Sequence, residues 1–193
     1  MHFIVSWEAN MLKTFTRILA PLVLLTALPN TGLASSAKEL DADATKALHQ
    51  LYSENTAAKT LGEKAKAVLV FPNIAKAGFV FGAEGGNGVL RKGNRTAGYY
   101  NIAAGSFGLQ AGVQKFSYAL FFMKDSAVAY LDKSSGWEIG TGPSIVVVDA
   151  GAARNISSTT LKSDIYAVVF SQKGLMGGID LKGSKITKIH PDK

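Results

Sequence analysis

The stretch KAVLVFPNIAKAGFVFGAEGGNGVLRKGNRTAGYYNIAAGSFGLQAGVQ, residues 66–114, decides the fold of this chain. Apolar and aromatic residues recur in it against glycines at the two-residue spacing of β-strands. Glycine weakens a strand interior unless a bulge, a sharp bend or a close backbone approach requires it. The pattern therefore predicts a glycine-rich, mainly antiparallel sheet with bends.

The strand pattern continues to the C-terminus, and turn-forming residues separate the segments. The predicted strands are 67–71, 78–82, 88–91, 96–103, 107–114, 118–123, 137–140, 144–149, 165–171, 175–181 and 185–189. The predicted turns are 72–73, 85–87, 92–94 and 104–106. One short helix, 124–132, interrupts the strands and has Asp125 as its candidate cap.

Ahead of the sheet, residues 40–60 predict one amphipathic helix that ends at Gly62. Its apolar stripe consists of Leu40, Ala44, Ala47, Leu48, Leu51, Tyr52 and Leu61. Its polar face mixes acidic and basic residues, unlike the Lys/Arg-rich face of a membrane-surface helix. We therefore expect this helix to pack on the sheet, and residues 38–193 to form a single α+β domain.

Residues 1–37 have the three parts of a secretory signal peptide. Lys13 and Arg17 precede an apolar run at 18–28, and small residues follow. Because the run is too short to span a bilayer comfortably, a cleaved signal is favoured over a membrane anchor or an N-terminal core helix. The pattern predicts export to the periplasm, with peripheral membrane contact as an open possibility.

Met11 is a more natural start than Met1 for such a signal. Trp7 and Glu8 would otherwise stand where a signal peptide has its short basic lead. The sequence predicts a mature chain that begins between Ser35 and Lys38.

The composition suits one domain with a substantial core, since 47% of the 193 residues are hydrophobic and 18% are charged. The chain has no cysteine, which excludes disulfides, thiolate metal sites and the lipid-modified cysteine of a lipoprotein. Its net charge of +7 favours anionic partners such as lipid headgroups. A basic domain without an anionic ligand remains the alternative.

No catalytic, metal or cofactor constellation stands out in the sequence. The glycines at 82–88 match neither nucleotide-binding glycine motif, and His2, His49 and His190 are far apart. Ser106 lacks the spacing of a nucleophile elbow. There is no RNA-recognition motif to pair with the basic charge. We therefore expect no enzyme activity, no cofactor, no metal and no nucleic-acid partner.

Four segments of the chain, in the correct order, resemble the SYLF domain family. They are 67–90, 97–114, the SSGWEIG around Trp137, and GLMGGIDLKGSKI at 174–186. The resemblance covers about 61–189. It implies an α+β domain with a curved, partly closed sheet, and non-catalytic binding of lipid or an anionic membrane surface. Actin binding, described for eukaryotic members, is not expected here because residues 101–106 depart from the eukaryotic pattern.

An envelope structural or protein-interaction module without a lipid ligand is the alternative function. The candidate headgroup contacts are Arg91, Lys92 and Arg95, which flank the turn at 93–94, together with Lys115 if the sheet brings it to the same side. The alternative for this tip is a solvated turn that protects a sheet edge from aggregation.

The candidate apolar contacts for lipid are Phe79, Phe81, Tyr99 and Phe107. These and other aromatic residues could line an acyl-chain cavity or fill the core. Adjacent residues of a strand, such as Tyr99 and Tyr100, point to opposite faces. Both faces of the sheet must then be covered, or one face must be exposed as a binding surface.

Overall fold

One eight-stranded sheet organises the described part of the chain. The computed structural model describes residues 35–78, 81–107 (side chains to 105), 112–133, 136–148, 162–173, 181 and 183–192. The strands are β1 (Ala67–Gly78), β2 (Phe81–Lys92), β3 (Arg95–Phe107), β4 (Gly112–Phe122), β5 (Trp137–Glu138), β6 (Ile145–Val148), β7 (Ile165–Lys173) and β8 (Lys185–Ile189). The helices are α1 (Ala37–Glu54), α2 (Thr56–Lys64) and α3 (Asp125–Lys133).

The strand order across the sheet is β5-β8-β3-β2-β1-β4-β7-β6. Neighbouring strands are antiparallel except β6 and β7, which run parallel. The sheet curls into a half-barrel, so the predicted α+β class with a curved, mainly antiparallel sheet is confirmed. Within the described residues, no helix is both long and apolar enough to cross a membrane.

Both faces of the sheet are covered along much of its length. The concave face packs with α3 and Trp137 around buried Phe71, Tyr100, Phe116, Tyr118 and Phe122. The convex face packs with α1 and α2 around Leu40, Leu51, Leu61, Val70 and Phe121. Neighbouring residues such as Phe121 and Phe122 therefore enter two different cores, as strand alternation requires. The described aromatic residues of these clusters fill the protein interior.

The predicted single helix is two helices, because Asn55 interrupts it. Asn55 has an extended backbone (φ −138°), and its side-chain oxygen accepts a hydrogen bond of 2.9 Å from the Ala58 N–H. It thus ends α1 and caps α2. Gly62 lies inside α2 rather than stopping the helix, and a Cβ there would meet the Tyr52 ring, 2.7 Å from Cζ. The predicted packing of the helical apolar stripe on the sheet is confirmed.

Three of the predicted turns and the strand predicted at 78–82 were wrong, because β1 to β4 are longer than the glycine pattern suggests. Residues 85–87 and 104–106 lie inside strands, and 78–82 spans the end of β1 and the start of β2. Of the strand predicted at 107–114, Phe107 belongs to β3 and 112–114 belong to β4, while 108–111 lie outside the described residues. Pro72 and Asn73 form a bulge within β1, where the register with β4 shifts between Phe71 and Ile74.

Close packing explains the central glycine of the turn predicted in β2. A Cβ on Gly86 would lie 2.5 Å from the Asn73 carbonyl and 3.1 Å from Cγ1 of Ile74. Gly86 therefore makes room for the bulge of β1 rather than for a chain reversal.

Several other local predictions agree with the structure. The turn at 92–94 is confirmed, with Gly93 at φ 59°, and so is the helix predicted at 124–132. The strands predicted at 144–149, 165–171 and 185–189 correspond to β6, β7 and β8, whereas the one at 137–140 is limited to Trp137 and Glu138. The strand predicted at 175–181, apart from Leu181, and the predicted signal up to residue 34 lie outside the described residues.

Candidate functional site: a lysine groove beside helix α1

A groove of about 380 Å³ lies between α1 and the sheet. Its lining comes from α1, from the β1 bulge, and from the neighbouring parts of β4 and β7: Asp43, Lys46, Ala47, Gln50, Pro72, Asn73, Lys115, Phe116, Ser117, Ser171 and Lys173. We call it the lysine groove, because three of these residues are lysines and one, Asp43, is acidic.

Two lysines of this groove lie opposite each other on adjacent strands. Lys115 of β4 is the register partner of Lys173 in β7, and both side chains are exposed. Like charges directly opposite each other on a sheet repel, which costs stability unless an anion lies between them. Lys46 adds a third ammonium group from α1. Asp43 offsets part of this charge and accepts a hydrogen bond of 3.2 Å from the Asn73 side chain.

Bulges on both sides of β4 shape the groove. The β1 bulge is fixed by the Ser117 hydroxyl, which donates a hydrogen bond of 2.7 Å to the Pro72 carbonyl. A second irregularity lies between Lys115 and Ser117, where β7 carries one more residue than β4. Ser171 sits in that irregularity with φ 53°, and its buried Oγ has no hydrogen-bond partner in the structure as described. Bulges and residues with positive φ often occur at binding sites.

The groove has the chemistry of an anion site. Three ammonium groups supply donors and positive charge, while Asn73, Ser117 and Gln50 add short polar groups. Groups of residues able to hold a metal ion are absent from the described part of the chain. His49 and His190 are both solvent-exposed and lie outside the groove.

The predicted basic tip is reduced to two cations. Lys92 and Arg95 are exposed and are register partners at the end of the β2–β3 hairpin. Arg91 instead turns toward α1, where its Nη2 donates hydrogen bonds of 2.9 Å to the Asp41 carbonyl and to the Thr45 hydroxyl. Its guanidinium also lies 3.4 Å from the Asp41 carboxylate, and its side chain is only 16% exposed.

The sheet does not bring Lys115 to the tip. Arg91 pairs with Val68 of β1, whereas Lys115 pairs with Ala75 of the same strand. Seven residues of extended chain separate these positions by roughly 20 Å. Lys115 belongs to the lysine groove, and the two basic regions lie toward opposite ends of the central strands.

The four apolar candidates have different surroundings. Phe81 is 75% exposed at the start of β2. Tyr99 is partly buried against the α1 core, and its hydroxyl donates a hydrogen bond of 3.1 Å to Asp41. Burial, and then this bond to a carboxylate, raise the pKa of Tyr99. Phe79 and the side chain of Phe107 lie outside the described residues, although the Phe107 backbone pairs with Phe81.

Sequence reasoning missed Lys46 and Lys173 as site residues. They come from α1 and β7, and each lies 58 or more residues from Lys115 along the chain. Two bulges bring these lysines together. The sequence contained no sign of a bulge except Pro72-Asn73, which was interpreted as a turn.

Comparison with known families supports the resemblance seen in the sequence. Residues 103–191 match the family model described as Ysc84, Las17-binding protein actin regulator. The match contains the last two of the four segments quoted above and part of the second, and the first segment precedes it. A comparison with curated proteins found no match.

Proposed function

We propose that the chain, whose residues 103–191 match the Ysc84 (SYLF) family model, is an exported, non-catalytic module that binds anionic lipid surfaces through the lysine groove. SYLF domains form a family of binding domains rather than of enzymes, which fits a non-catalytic role. The N-terminal signal pattern supports export to the periplasm. In that setting actin, which the family's description names as the object of regulation, has no access to the domain.

The paired lysines carry the proposal. Lys115 and Lys173 stand opposite each other on exposed strand ends, and Lys46 faces the same groove. A phosphate headgroup placed between them would relieve their repulsion and gain charge-assisted hydrogen bonds. Each cation near an anionic surface contributes about 1 kcal/mol, so removing two should weaken binding roughly 30-fold. Salt should weaken it further, since the Debye length at physiological salt is about 8 Å.

Co-sedimentation with vesicles tests this proposal. The protein from Ser35 onward, which contains every described helix and strand, is mixed with phosphatidylcholine vesicles with and without phosphatidylglycerol, at low and moderate salt. We expect salt-sensitive binding to the anionic vesicles and roughly 30-fold weaker binding for Lys115→Gln/Lys173→Gln. Each variant must first show the cooperative unfolding transition of the unmodified protein.

The matched control is Lys92→Gln/Arg95→Gln, which removes the same charge from the hairpin tip. A large loss for this variant, with no loss for the groove variant, would make the tip the contact and overturn the groove. Failure of the unmodified protein to bind any vesicle would overturn lipid binding altogether and favour the protein-interaction alternative.

A further inference from the structure

The ends of β1 to β4 beyond the lysine groove have an inverted polarity pattern. Lys76, Glu84 and Gln114 face the concave side and are 5%, 8% and 2% exposed. The convex side of the same strands carries exposed alanine, glycine, valine and phenylalanine. An antiparallel sheet with one solvated face normally buries its apolar face and exposes its polar one.

The exposed side forms a continuous apolar surface. Register pairing places Val113, Ala77, Ala83 and Gly105 side by side across β4, β1, β2 and β3. Phe81 lies on the same face as Ala83, two residues further toward the end of the sheet. Val113 is 65% exposed and Phe81 is 75% exposed, and we call this surface the apolar face.

Two of the polar residues beneath the apolar face form an ion pair. Lys76 and Glu84 are register partners, and their charged groups lie 3.9 Å apart. Burying such a pair is costly and is weak support for stability by itself. Because the Lys76–Glu84 pair is buried, the concave side is the inner side of these strand ends. Phe81 and Val113 therefore lie on the outer side.

The apolar face adjoins the lysine groove directly. Lys115, Ala75 and Gly85 form one cross-strand row. Val113 belongs to the next row on the same face and is two residues from Lys115 along β4. Two further rows of strand spacing put Phe81 about 13 Å beyond Lys115. The apolar faces of interfacial helices lie about 5–10 Å inside the boundary between headgroups and acyl chains. With these strand ends directed into the bilayer, cations at phosphate level would place Val113 and Phe81 at acyl-chain depth.

We propose that the apolar face inserts into the interfacial region of an anionic bilayer while the lysine groove contacts its headgroups. This rests on the proposed function and adds to it the element that enters the lipid. Insertion makes binding partly independent of salt, because burial of Phe81 and Val113 is not screened.

Single-cysteine labelling tests the insertion, since the chain has no cysteine of its own. Phe81→Cys and Val113→Cys carry a nitrobenzoxadiazole fluorophore, and Ala129→Cys on the exposed side of α3 is the control position. With phosphatidylglycerol vesicles we expect a blue shift at positions 81 and 113, quenching there by doxyl-labelled lipid, and neither change at 129.

Unlabelled variants give an independent measure. Loss of one buried large apolar side chain should weaken vesicle binding about tenfold or more, at both salt concentrations. We expect this for Phe81→Ser and Val113→Ser. The control is Val147→Ser on β6, which removes a valine that is 46% exposed on another part of the sheet.

The outcomes separate this proposal from the one before it. Full vesicle binding with no spectral change at position 81 overturns insertion and leaves headgroup binding intact. No vesicle binding overturns both. A blue shift without lipid that grows with protein concentration, together with a dimer in sedimentation velocity, overturns insertion because a second copy of the chain then covers the apolar face.

Discussion

The guanidinium of Arg91 lies 3.4 Å from the carboxylate of Asp41, and this ion pair joins the β2–β3 hairpin to the first helix. The same carboxylate accepts hydrogen bonds from Thr96, at 2.6 Å, and from Tyr99, at 3.1 Å. A basic residue that seemed available for lipid is thus part of the contact between helix and sheet.

Replacing Arg91 should affect stability more than binding. Arg91→Gln removes the ion pair and two hydrogen bonds to α1, so we expect about 2 kcal/mol less free energy of unfolding in urea titrations. Lys92→Gln, one residue away and exposed, should change it by less than about 0.5 kcal/mol. Equal effects of the two substitutions would show that the Arg91 contacts add nothing to stability.

Asp164 should make stability depend on pH in the acid range. Hydrogen bonds from Lys124, at 2.6 Å, and from the Ser144 N–H and hydroxyl, at 2.8 Å each, lower the pKa of Asp164 to about 2 from 3.8. The carboxylate therefore stabilises the fold above about pH 4, and this contribution is lost as the pH falls toward 2. Because its side chain is 23% exposed and Lys124 is 56% exposed, we expect only about 1 kcal/mol.

The measurement compares Asp164→Asn with the unmodified protein in urea at several pH values. The difference of about 1 kcal/mol at pH 7 should disappear between about pH 4 and pH 2. Glu138→Gln, an exposed carboxyl on β5, is the control. A difference that stays constant down to pH 2 would mean that the charge of Asp164 is not responsible.

The effect of Gly62→Ala on stability should depend on the size of the side chain at position 52. Alanine in a helix interior normally stabilises by up to about 1 kcal/mol relative to glycine, but a Cβ at Gly62 would displace the Tyr52 ring. That ring packs against Phe121, with ring centres 6.5 Å apart. We expect Gly62→Ala alone to destabilise the protein, and the same change to stabilise it in a Tyr52→Leu background. A double-mutant cycle without coupling would contradict this contact.

The start of α1 predicts where the proposed signal peptide would be removed. The Ser36 hydroxyl accepts a hydrogen bond of 3.2 Å from the Glu39 N–H, the Glu39 carboxylate accepts one of 3.0 Å from the Ser36 N–H, and Ala37 N–H bonds to the Asp192 carbonyl at 2.9 Å. Cleavage after residue 37 would remove these bonds. We therefore expect the exported protein to begin at Ser35, which mass spectrometry of the processed chain can establish.

Stability measurements provide a second check on that cap. Ser36→Ala should lower the free energy of unfolding by about 1 kcal/mol, as for other N-cap serines. Ser35→Ala, next to the cap, serves as the control. A processed chain that begins at Lys38 yet is as stable as one that begins at Ser35 would show that the cap is dispensable.

Local patterns in the sequence were sufficient for the class of fold and for the elements with strong periodicity. The apolar stripe on α1, the turn at Gly93 and α3 were predicted because hydrophobic spacing and a glycine with positive φ act within a few residues. Asp125, the candidate cap of α3, is instead the first residue inside that helix. The boundaries of β1 to β4 were not, because glycine signals a turn and close packing alike. Only the close approach of the Asn73 carbonyl to Gly86 decides between them.

The sequence by itself determined an α+β domain with a glycine-rich sheet, its positive charge and its family resemblance, since these depend on composition, short-range spacing and motifs. Tertiary structure alone decided which cations share a site. It turned Arg91 toward Asp41, and it placed Lys115 opposite Lys173 through register and bulges that join strands far apart in the chain. Such pairings depend on packing between distant segments, and no local pattern of residues encodes them.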